Sequence, residues 1–135
     1  MDPLGMYQEN ILDHYQNPRN HGHLDEPVTI RREEYNPLCG DRLTFELRIV
    51  DDKVDAVAFH GHGCAISQAS ASMLSEELIG KTVDEVKALQ KQDVLDLLGI
   101  PISATRLKCA LLSLKAVKAG VYGVPQLDID EDEDE

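Results

Sequence analysis

From Val28 onward in this 135-residue chain the spacing of apolar side chains changes period once, at Cys64, and that change restricts the fold more than any other feature. Upstream, in Val28 to Tyr35, Leu43 to Val50 and Val54 to His60, apolar and polar residues tend to alternate, as on strands with one buried face. Asp51-Asp52 sits between the second and third runs, where a tight turn belongs. Downstream the spacing is helical. Ile66, Ala69, Met73 and Leu78 recur near one face of Ala65 to Ile79, and Gly80 follows. Thr82 with Glu85 predicts a capping box opening Val83 to Leu89, and Gln92 to Leu98 reads as a short helix closed by Gly99 and Pro101. Ser103 predicts the cap of a last helix that runs to Ala119, with Leu107, Leu111 and Leu114 as its stripe and Gly120 past its end. Ile11, Leu12 and Tyr15 predict an amphipathic helix over Met6 to Gln16, stopped by Asn17-Pro18. Strands first and helices afterwards imply an α+β domain: a small three-stranded antiparallel sheet with the N-terminal helix and the C-terminal helices packed on one face.

One domain is expected at this length, over residues 1–125. With no Trp and two Phe, its core must come from Leu, Ile, Val and Ala. The net charge of −12 is uneven, because seven of the eight residues from Asp128 to Glu135 are acidic. Such a run repels itself and buries nothing, so residues 126–135 read as a disordered, solubilising tail. Without a basic stripe or aromatic stacking platforms, nucleic acid is not an expected partner. Nor is a membrane: no apolar run approaches bilayer length, and MDPLGMYQEN lacks the features of a secretory signal, so a cytoplasmic location is expected.

The chemistry is concentrated in Cys39 with Asp41, Cys64 and Cys109. An odd number of cysteines in a reducing compartment argues for ligands rather than a disulfide framework. Three soft thiolates favour zinc, copper(I) or iron-sulfur centres, and one hard carboxylate completes a four-coordinate site with one weaker bond, suited to release. In NPLCGD, Pro37 stiffens the loop and Gly40 lets it turn sharply, so Cys39 and Asp41 can be aimed at one point. In GHGCAIS, Gly61 and Gly63 flank His62 and clear space around Cys64, and the amide groups of the following helix favour negative charge on its sulfur. Counting residues around the last helix sets Cys109 opposite the Leu107 and Leu111 stripe, off the core face, with Arg106 beside it to steady an anionic cluster. His60 and His62 are weaker ligand candidates; His14, His21 and His23 read as surface groups.

Four segments in order, MYQENILDHYQNPRNHG, NPLCGD, GHGCAISQASASML and RLKCALL, resemble the IscU/SufU (NifU N-terminal-like) family of iron-sulfur cluster assembly scaffolds. The resemblance covers nearly all of the chain except the acidic tail. It implies a SufE/NifU-like fold and a [2Fe-2S] cluster, or Zn2+ in its absence, held by Cys39, Asp41, Cys64 and Cys109. It also implies sulfur delivery by a cysteine desulfurase, with Cys109 the expected persulfide acceptor, transfer to apo iron-sulfur acceptor proteins, and room for a homodimer. The N-terminal helix around Tyr7 and Ile11 is the expected docking surface for the desulfurase. Lys108 stands where IscU proteins usually carry histidine, and ISATR where they carry LPPVK, so chaperone-driven release is not implied. RLKCA resembles the SufU branch, whose zinc-dependent sulfurtransferases carry an insertion for which the interval between Cys64 and Cys109 has no room. The expectation is therefore a scaffold rather than an enzyme, with a zinc-dependent persulfide acceptor of the SufU type as the alternative.

Overall fold

The computed structural model describes residues 3–37 and 40–123. Eight elements follow one another: α1 (Pro3–Gln16), β1 (Ile30–Asn36), β2 (Asp41–Val50), β3 (Lys53–His62), α2 (Ala65–Leu78), α3 (Val83–Lys87), α4 (Lys91–Leu98) and α5 (Ala104–Tyr122). The strands form an antiparallel meander in the order β1-β2-β3. Asp51 and Asp52 both adopt positive φ, 54° and 66°, the conformation that a two-residue hairpin turn requires between Val50 and Lys53. A bulge between Arg48 and Ile49 shifts the register by one residue, from Arg48 opposite Ala56 to Ile49 opposite Val54.

Strand alternation gives the sheet two different faces. Leu43, Phe45 and Leu47 of β2, with Val57 and Phe59 of β3, are buried under α2 and α5, and the Phe45 and Phe59 rings stack with centroids 5.6 Å apart. α1 packs on α2, where the His14 imidazole meets the Ser72 hydroxyl at 2.7 Å. The far face carries Thr44, Glu46, Arg48 and His60, and residues 20–29 cross it. This segment first pairs with β3 through the Gly22 amide to the Phe59 carbonyl, and then reaches β2 through the Thr29 amide to the Leu47 carbonyl.

The expected elements are present, with instructive differences. Thr82 and Glu85 form the reciprocal capping box, yet α3 stops at Lys87. Ser103 caps α5 by position only: its hydroxyl meets Thr105 Oγ1 at 3.2 Å instead of a helix amide. Gly120 lies inside α5 rather than past its end, and Gly123, at φ 69°, closes the helix. The reason for glycine at 120 is contact, since a Cβ there would lie 2.7 Å from Cγ2 of Ile30 on β1. Residues 126–135, read as an acidic tail, lie outside the described residues.

Candidate metal centre

Three chain segments meet at the end of the sheet where β2 begins and β3 ends. Asp41 opens β2 with its side chain on the helix-facing side, buried to 3% exposure. Cys64 is the N-cap residue of α2 in an extended conformation, half-buried, and its amide donates to Asp41 Oδ1 at 3.2 Å. Its Sγ lies 3.6 Å from Asp41 Oδ2 and 3.9 Å from Ser67 Oγ. Cys109 comes from the second turn of α5. Its Sγ, the Cys64 Sγ and an Asp41 oxygen all lie within 4.8 Å of one another.

Glycine makes this closeness feasible. A Cβ on Gly63 would fall 2.7 Å from Asp41 Cγ and would also collide with Ser67 Oγ. One on Gly61, at φ 138°, would run into the Arg42 carbonyl of β2. A cleft of 510 Å³ opens over the group, lined by Gly40, His62, Thr105 and Arg106 as well as the three donors. A larger cleft of 720 Å³ lies between Tyr7, α4 and Pro101, and its lining holds neither cysteine nor histidine.

The sequence expectation for Cys109 needs correction. It is 2% exposed, not on a solvent face. Counting around the helix assumes one buried side, but α5 packs against β1, β2, α2, α3 and α4, so almost its whole circumference from Cys109 to Ala119 is buried. Arg106 is exposed and lines the cleft as expected. Cys39 lies outside the described residues, between Pro37 and Gly40, two positions from Asp41. Of the expected docking pair, Ile11 is 6% exposed and belongs to the core; among the described side chains of α1, the large apolar ones left to solvent are Met6, Tyr7, Leu12 and Tyr15.

The two weaker candidates part company. His62 lines the thiol cleft, whereas His60 joins His23 and Glu46 on the far face of the sheet. Glu46 is fully buried there. Burial alone would raise its pKa, but hydrogen bonds from the Leu24 amide, Arg31 and His23 outweigh that and hold it at about 2. Sequence reading missed Glu46 because in the alternation of β2 it stands with Thr44 and Arg48 on the polar side, where an acidic residue reads as solvent-facing.

Two thiols and a carboxylate gathered at a glycine-cleared cleft of a small α+β domain are a donor set that could hold a soft or borderline metal ion. The chain belongs to the NifU-like N terminal domain family, which it matches over residues 6–128. It is 35% identical over 133 residues to the zinc-dependent sulfurtransferase SufU of Bacillus subtilis, covering 86% of this chain and 89% of that protein. The iron-sulfur cluster assembly scaffold protein IscU of Escherichia coli K12 is 30% identical over 122 residues, covering 85% and 91%. Among solved structures, SufU of Fervidobacterium islandicum AW-1 superposes with a TM-score of 0.75 at 29% identity, covering 89% of this chain and 99% of that one. An N-terminal NifU-like protein from Brucella abortus gives 0.71 at 27% identity, covering 87% and 93%. Among the described residues no helix is long and apolar enough to cross a membrane.

Proposed function

We propose that this protein is a scaffold on which a [2Fe-2S] cluster is assembled and from which it is transferred, with Cys39, Asp41, Cys64 and Cys109 as ligands. The observation that carries the reading is the convergence of Asp41, Cys64 and Cys109 donor atoms within 4.8 Å beneath an open cleft. Such a spacing lets one metal centre draw the donors together with small side-chain movements. The cleft supplies the route by which iron and sulfur enter and a finished cluster leaves.

The chemistry of the donors fits a cargo rather than a permanent structural metal. Thiolates bind iron and sulfide-rich centres strongly; the carboxylate of Asp41 is harder and exchanges more readily. Its Oδ1 accepts from the Cys64 amide at the start of α2, and its Oδ2 lies 3.6 Å from the Cys64 thiol. Sulfur is supplied by a cysteine desulfurase as a persulfide: a thiolate of the site attacks its outer sulfur, and the desulfurase's cysteine leaves as thiolate. An external electron donor together with the incoming Fe2+ reduces the transferred sulfur to the sulfide of the cluster. Cys109 is the proposed acceptor, and because it forms the cleft floor the persulfide has to enter the cleft to reach it. Apo iron-sulfur proteins are the proposed recipients.

The second reading is a zinc-dependent persulfide acceptor, favoured by the 35% identity to SufU of Bacillus subtilis. The same donors would hold Zn2+, and one thiolate would leave the metal to accept sulfur. The short interval between Cys64 and Cys109 supports the scaffold over this alternative. Protein purified without oxygen separates the two: visible absorption with iron and sulfide bound supports the scaffold, and a colourless protein with one zinc supports sulfur transfer.

A further inference from the structure

On the far face of the sheet, away from the thiols and the helices, two histidines and a glutamate from three segments come together. His23 lies in the crossing segment, Glu46 at the middle of β2 and His60 on β3. Their donor atoms all lie within 4.8 Å of one another. Glu46 Oε2 accepts from His23 Nδ1 at 3.2 Å and lies 3.8 Å from His60 Nε2. The two imidazoles are tilted by 37° with centroids 4.2 Å apart, so both nitrogens turn toward the same oxygen.

Two details distinguish this group from an ordinary surface ion pair. His60 Nε2 is buried and has no hydrogen-bond partner. Native structures rarely leave such an atom without a partner. Meanwhile the other carboxylate oxygen, Oε1, is fixed by the Leu24 amide at 2.7 Å, which orients Oε2 toward the histidines as an outer-shell contact orients a ligand. Arg31 Nε also reaches Oε2, at 3.1 Å, but its side chain is 56% exposed and free to swing into solvent when a cation takes over its charge.

We propose that His23, Glu46 and His60 form a second metal site, which takes one divalent transition-metal ion of borderline softness, such as Zn2+, and fastens residues 20–29 across the sheet. Two imidazoles and a carboxylate are a donor set that such ions favour. Ligand bonds of about 2.0–2.2 Å bring donors closer than they now stand, so binding contracts the cluster and expels Arg31. The ion then ties the crossing segment to β2 and β3 at one point.

The test uses the full chain with Cys39, Cys64 and Cys109 replaced by serine, titrated with Zn2+ against a chelator of known affinity. One equivalent is expected to bind, and His23→Ala, at an exposed position, to weaken it about 100-fold, with His60→Ala doing the same. Co2+ added to the unsubstituted chain gives an independent readout. Beyond the ions that produce sulfur-to-cobalt charge transfer, one further equivalent should add ligand-field absorption without that band, and His23→Ala should abolish this increment. Absence of Zn2+ binding to the thiol-free chain together with absence of the cobalt increment overturns the proposal. So does binding that persists undiminished in both histidine variants, which would locate the ion elsewhere, for instance on the acidic C-terminal residues.

Discussion

Adding one methyl group at Gly63 should disturb the thiol site more than its size suggests. An alanine Cβ would stand 2.7 Å from Asp41 Cγ and 2.8 Å from Asp41 Oδ1, where ordinary contact begins near 3.4 Å. The Ser67 hydroxyl, which also collides, can escape by rotating; Asp41 cannot move without releasing the Cys64 amide that its Oδ1 accepts. Overpacking of this kind costs about 1–3 kcal/mol, which for a chain of this length is a fall of roughly 3–10 °C in Tm. Because the displaced group is a proposed ligand, affinity for Zn2+ at the thiol site should also fall, by about 10-fold to 100-fold. Thermal unfolding measures the first effect and chelator competition the second. A double-mutant cycle with Asp41→Ala separates the clash from general strain: with the carboxylate gone, Gly63→Ala should cost at least about 0.5 kcal/mol less. Unchanged metal affinity in a variant whose Tm has dropped would refute the argument, because it would mean that displacing Asp41 leaves the ligand set intact.

Asp41→Ala should make a bound cluster persist longer and pass more slowly to apo-ferredoxin, followed by circular dichroism; transfer at the parent rate would count against the carboxylate as the exchangeable ligand. Cys109→Ser should lose persulfide uptake while keeping its complex with the desulfurase, as read by mass spectrometry and co-elution; normal uptake with loss in Cys39→Ser or Cys64→Ser would move the acceptor. Glu46 makes stability sensitive to acid in a defined window. Its pKa is lowered from 4.5 to about 2, so its contribution is complete above pH 4.5 and is lost as pH falls through about 2. Glu46→Gln should therefore flatten the decline of urea-unfolding stability between these values, and an unaltered pH profile would show that the carboxylate is not what the fold loses in acid.

The parts of this fold written in local chemistry were legible in the sequence, and the parts written in assembly were not. Thr82 and Glu85 announce their capping box, Asp51-Asp52 its turn and Gly99 the end of α4, because each depends on neighbours within a few residues. The convergence of Asp41, Cys64 and Cys109 was foreseeable because the donor types are unusual and the glycines around them have few other purposes. Burial of Cys109 was not: helical periodicity shows which side of α5 is most apolar, but not that sheet and helices enclose the opposite side too. Gly120 misled for a related reason, since glycine in a helix can mark either an end or a close neighbour, and here the neighbour is Ile30. His23, Glu46 and His60 are distributed over a loop and two strands, and only the path of residues 20–29 across the sheet unites them.

The most direct measurement of the central claim is cluster transfer under anaerobic conditions. The chain is reconstituted with Fe2+, cysteine, catalytic amounts of a cysteine desulfurase and dithiothreitol as the reductant that takes persulfide sulfur to sulfide, freed of small molecules, and mixed with apo-ferredoxin in the presence of an iron chelator. The scaffold account predicts visible absorption of a [2Fe-2S] cluster on the chain, then its appearance on ferredoxin at a rate that the chelator does not change. A chain that stays colourless with one bound zinc, and passes on labelled sulfur but no iron, would contradict it.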